Sequence, residues 1–160
     1  MNGAAKRALA TVAVTAMLAF AGCSGDGEET IGAPPIAIGY WISQADRYCS
    51  DGSQEAAALR VPSSAKQYVA DSQARAEILA VVRDAIVTLG QPDEVDPTAL
   101  ASYLEELNAD IEVMTTAAGA ASEGSPFSPL DLSAAEAAAA LGLARCEGFA
   151  VQLADSGASG

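Results

Sequence analysis

Residues 96–118 read DPTALASYLEELNADIEVMTTAA. Asp96 followed by Pro97 marks a helix start, because a carboxylate can accept from the unpaired first-turn N–H groups and proline at the first helical position gives up an N–H that has no partner there. From Leu100 onward, Leu104, Leu107, Ile111, Met114 and Ala118 recur at spacings of 4, 3, 4, 3 and 4, which places all six on one stripe of a helix. Glu105, Glu106, Asp110 and Glu112 then read as the solvated face opposite that stripe. No stretch of the chain alternates apolar and polar residues with β-branched enrichment, so the expected class is all-α.

Working outward, the same signals recur. Upstream, a helix starts near Ser63 or Ser64, presents Ile78, Val82, Ala85, Ile86 and Leu89, and stops at Gly90 with Pro92 beyond. Downstream, Ser133 with Glu136 three residues later forms a capping-box pattern that opens an alanine-rich helix running through Cys146, Phe149 and Leu153. The first helix carries Ile38, Ile42, Ala45 and Cys49, with Trp41 and Tyr48 beside them. Gly52 either ends it or merely weakens it, with Ala56 to Leu59 continuing as a short segment. A chain of 160 residues holds one core, and four such helices with short connections predict a small antiparallel four-helix bundle over residues 36–154.

The beginning of the chain carries a different kind of signal. Lys6 and Arg7 precede an apolar stretch from Ala8 to Phe20, and those 13 residues match a secretory h-region but fall short of a membrane span. Phe20-Ala21-Gly22-Cys23 then resembles the lipobox of bacterial lipoproteins, in which an aliphatic residue and two small ones precede a cysteine. The resemblance covers the first 23 residues, and Phe20 departs from the usual leucine. It implies a signal peptide over residues 1–22, cleavage between Gly22 and Cys23, and a diacylglyceryl group on the Cys23 sulfur. The protein would then be anchored on the extracytoplasmic face of the cell membrane. An ordinary signal cut after Ala19, Ala21 or Gly22 is the alternative, but the lipobox also explains an odd cysteine count in an exported chain. Abundant alanine, and more arginine than lysine, resembles the composition of lipoproteins from high-GC Gram-positive bacteria.

Residues 23–35 mix glycine, acidic residues and proline, and read as a flexible tether whose twelve residues from Ser24 to Pro35 reach at most ~40 Å when extended. Residues 155–160 read as a disordered tail. An exported location permits a disulfide, and Cys49 and Cys146 fall on the apolar stripes of the first and last helices, so a bond linking those helices is expected. A two-thiolate metal site would lack its remaining ligands in a chain with no histidine.

Charge bounds the partners. The formal charge is −13, and removal of residues 1–22 takes away Lys6 and Arg7 but none of the 21 acidic residues, leaving −15. Such a surface repels phosphate backbones and anionic headgroups, which argues against nucleic acid and against a polybasic membrane contact. Without histidine, Ser-His and Cys-His nucleophile pairs cannot form. Ser63 and Lys66 fit a Ser-x-x-Lys spacing, yet Ser63 reads better as a helix cap. The acidic clusters Asp93-Glu94-Asp96 and Glu105 to Glu112 lack the order of an EF-hand, so no metal and no cofactor are expected.

Tyr40, Trp41 and Tyr48 crowd one helix and are the candidate ligand-binding residues, although core packing explains them as well. Two readings of function follow. In the first, the domain is a noncatalytic envelope module that contacts another envelope protein. In the second, it carries a small apolar molecule, haem included, between its helices.

Overall fold

The computed structural model describes residues 36–59, 62–123 and 130–157. They form five helices: α1 (Ile38–Ala57), α2 (Ala65–Leu89), α3 (Pro97–Ser122), α4 (Ala134–Ala140) and α5 (Ala144–Gly157). Among the described residues there is no strand, in keeping with the all-α expectation. The signal peptide, Cys23 and the tether lie outside the described residues.

The expected starts of α2 and α3 and the expected stop of α2 hold in detail. Ser64, in extended backbone, caps α2 by accepting from the Gln67 N–H at 3.3 Å. Ser63 is not the cap; its N–H and hydroxyl both donate to Gln67 Oε1. Asp96 caps α3, its carboxylate accepting from the Thr98 N–H at 2.8 Å. Gly90 ends α2 at φ 75° and ψ −177°, a region that essentially only glycine occupies.

The buried stripes are rotated from those the spacing predicted. On α1 the buried residues are Trp41, Ala45, Cys49, Gly52 and Ala56, while Ile38 is exposed and Ile42 half-buried. The helix continues unbroken through Gly52, and the reason is close approach. A Cβ at Gly52 would stand 2.8 Å from Val82 Cγ2 and 3.2 Å from the Phe149 ring, so α2 and α5 pack directly on its backbone. On α3, Tyr103 and Asp110 sit at the centre of the buried face, and Leu104 and Ile111 are displaced to its margins.

The expected last helix is two helices. After Ala140 the chain turns: the Leu143 N–H donates to Ala138 O, the Gly142 N–H donates to Ala139 O, and Gly142 has φ 74°. That pair of bonds with a positive-φ glycine is a Schellman stop, and Leu143 and Ala138 are both fully buried. The Ser133–Glu136 capping box does not form, because Ser133 adopts helical backbone and makes no side-chain cap. The expected disordered tail is likewise too long, since α5 extends to Gly157.

Each helix packs on the next in chain order, and α5 packs back on α1, so the five close into a ring in which the α4–α5 pair takes the fourth side. Against α2, rising numbers on α1 meet falling ones, with the Trp41 Nε1–H donating to Gly90 O at 2.8 Å and Gly52 seated on Val82. Against α5 the numbers rise together. Asp46 meets Arg145, Cys49 is bonded to Cys146, and Ser53 exchanges hydrogen bonds with Gln152. The two helices that carry the disulfide therefore run in the same direction, not oppositely as an up-down four-helix arrangement requires. The reversal at Gly142 is the physical reason.

The expected Cys49–Cys146 disulfide is present and ties positions 97 residues apart. In the chain-entropy account a loop of that length lowers the entropy of the unfolded chain by the equivalent of ~4–5 kcal/mol. Leu79, Leu107, Met114, Leu143 and Leu153 fill the core around it.

Candidate functional site

The three aromatic residues singled out in the sequence do not converge. Trp41 is 0% exposed, and its indole N–H is satisfied by Gly90 O, so it serves the α1–α2 contact. Tyr40 is 59% exposed. Tyr48 is half-buried and lines a surface groove. Cys49 and Cys146 are bonded to each other within the core, and Cys23 lies outside the described residues.

The chemistry that the helices do bring together is a pair of carboxylates that cap helices other than their own. Asp110, expected on a solvated face, is 1% exposed. Its Oδ1 accepts from the Ser133 N–H at 2.8 Å and its Oδ2 from the Ala134 N–H at 3.1 Å, so α3 supplies the anion that satisfies the start of α4. The Ser133 hydroxyl donates to Glu106 and to Asp110. At α5 the residue in the capping position is Leu143, which has no side-chain oxygen, and Asp46 of α1 takes that role by accepting from the Arg145 N–H at 2.9 Å.

Tyr103 stands between the two caps. Burial first, and then the charges of Asp46 and Asp110, push its hydroxyl far above the ordinary tyrosine range. Burial also raises the Asp110 carboxyl, against the lowering effect of the N–H groups that it accepts from. The carboxylates of Asp46 and Asp110 are occupied with helix ends, which makes them poor proton shuttles. A second buried charge missed by spacing is Arg75 on α2, whose guanidinium pKa is lowered by desolvation and partly restored by Asp71. Ser63 and Lys66 are both exposed, and Ser63 is engaged with Gln67.

Two adjoining grooves of about 200 and 240 Å³ run along the α1–α2 seam and share Glu55, Ile78 and Val81. Their floor is apolar, formed by Ile78, Val81 and Val82, and Val81 is 69% exposed. Asp51, Glu55 and Glu77 form the rim, and among the described residues that line either groove none is basic. Another open groove, of about 630 Å³, lies along α3 beside Val113, Ala117 and Leu130. Among the described residues no group of three or more histidine, cysteine, aspartate or glutamate side chains is arranged to hold a metal ion, and no helix is long and apolar enough to cross a membrane.

The search of known proteins adds no relative: no family model, no curated protein and no solved structure matches the chain.

Proposed function

We propose that this protein is a lipid-anchored, extracytoplasmic helical domain that serves as a noncatalytic interaction module of the cell envelope. In this reading Cys23 carries the lipid, residues 23–35 hold the domain clear of the headgroups, and the domain engages another envelope protein. The three long helices and the α4–α5 pair are the four sides of a bundle in which α1, α2 and α3 alternate in direction.

The observation that carries the reading is the α1–α2 groove, where Val81 stands 69% exposed above the buried Ile78 and Val82, between the carboxylates of Asp51, Glu55 and Glu77. Apolar patches with polar rims mark contact surfaces. The enclosed setting of Trp41, tied to Gly90 O, favours a contact surface over a carrier with a ligand between its helices.

The test places a photo-crosslinking residue at Val81, and separately at Val151 on α5, in the membrane-tethered protein. A discrete adduct with one envelope protein is expected from position 81 and none from position 151. Absence of any adduct at 81, together with a saturable change in Trp41 emission and a higher Tm on addition of haem or an apolar dye, would replace the module with the carrier.

A further inference from the structure

We propose that the α1–α2 groove receives a cationic amphipathic helix of the partner. This rests on the interaction reading above and specifies the chemistry of what the surface accepts.

Length comes first. The lining runs from Tyr48 on α1 to Leu59 just beyond its end, and from Ala74 to Ala85 on α2, which at 1.5 Å per residue of α2 is a trough of roughly 17 Å. Three turns of helix fit that length, and a groove between two helices is the usual seat for the apolar face of a third. Val81, 69% exposed, offers its side chain to such a face, with the buried Ile78 and Val82 beneath it. An extended strand would find no open backbone edge here, because the seam is helical on both sides.

Charge then fixes the sign of the occupant. Asp51 and Glu55 stand along one bank and Glu77 along the other. The nearest compensation on α1 is Arg47, 4.0 Å from Asp51, with both side chains about two-thirds exposed or more, a pair too solvated to neutralise the bank. Arg83 of α2 is directed elsewhere, to Asp84 and to Asn108 of α3. A lysine- or arginine-flanked apolar stripe is therefore complementary to this trough. An anionic lipid surface and a second copy of a chain that carries −13 would both be repelled.

The experiment uses the exported chain carrying Cys23→Ser and two synthetic helical peptides of about 18 residues with the same leucine face, one with lysine and one with glutamate on the opposite face. Fluorescence anisotropy should show saturable one-to-one binding of the lysine peptide and none of the glutamate peptide. Glu55→Lys should weaken binding by about tenfold, Val81→Ser should weaken it several-fold, and Val151→Ser should leave it unchanged. Circular dichroism and the intact disulfide check that each variant is folded, and Val81 and Glu55 are exposed enough to be replaced without disturbing the core. Equal binding to all variants would mean diffuse charge attraction and would overturn the proposal, as would no binding at all. A concentration-dependent dimer lost in Val81→Ser would reassign the trough to a second copy and overturn it as well. An adduct from position 81 without lysine-peptide binding would sink this proposal alone, whereas failure of the crosslink would sink the interaction reading beneath it.

Discussion

Asp110 is the residue whose role could not be read from its neighbours. In the sequence it belongs to a run of acidic positions opposite a leucine stripe, and periodicity assigns such a run to solvent. What buries it is the unsatisfied N-terminus of α4, two N–H groups that need an acceptor and find one on α3. That need arises between elements far apart in the chain, so no local pattern announces it. Its titration gives a test. Because burial raises the folded carboxyl above its unfolded value, the contribution of this group to stability is fully present below the unfolded pKa and is lost as pH rises through the folded one. The window therefore opens near pH ~4, the ordinary aspartate value, and extends upward from there. Asp110→Asn removes the titrating group and also replaces one acceptor oxygen with a donor, so the variant should be less stable throughout. The Tm gap between the two proteins should be widest at about pH 4 and should narrow toward neutrality as the native carboxylate ionises beside Glu106. A gap that widens with pH would show that its hydrogen bonds outweigh its burial.

At the scale of the helix, legibility followed the chemistry of the ends. The Asp96-Pro97 start and the Gly90 stop combine side-chain or backbone preferences that act within a few residues, and the structure keeps both. The break at Gly142 escaped because Cys146, Phe149 and Leu153 continue a helical spacing on its far side, and spacing does not register a turn that resumes in phase. The rotation of the α1 and α3 stripes has a related cause: Trp41 and Tyr103 bury larger surfaces than Ile38 or Leu104 and dictate which side faces inward. The candidate aromatic site was legible as composition but not as a site, since adjacent positions on a helix point to different sides. Helix α5 itself depends on a borrowed cap. Asp46→Ala should remove the acceptor for the Arg145 N–H and destabilise the protein by about 1 kcal/mol. Hydrogen exchange should localise that loss to the first turn of α5, and uniform loss of protection across all helices would contradict a local capping role.

For the whole molecule, the ring of helix contacts is closed covalently at a single place, where α1 and α5 lie side by side in the same direction. This has a mechanical meaning. Tension applied between residue 36, where α1 is about to begin, and residue 157, where α5 ends, enters along one helix and leaves along its neighbour. The load path therefore crosses from Cys49 to Cys146, and α2, α3 and α4 carry none of it. The bonded pair runs parallel, so the two helices are pulled in shear, with the ends of α1 and α5 roughly 30 Å apart at 1.5 Å per residue. Stretched in an optical trap, the oxidised protein should reach an end-to-end length of at most about 24 residues' worth of chain, ~80 Å, however far the force is raised below bond rupture. The Cys49→Ser, Cys146→Ser double variant should instead reach the length of the whole interval, about 121 residues or ~400 Å. An oxidised molecule that extends as far as the double variant would mean that the bridge does not bear the load. Otherwise the domain behaves under tension as a short covalent link with a folded body hung beside it, and the α1–α2 face stays intact while the chain on either side is pulled taut.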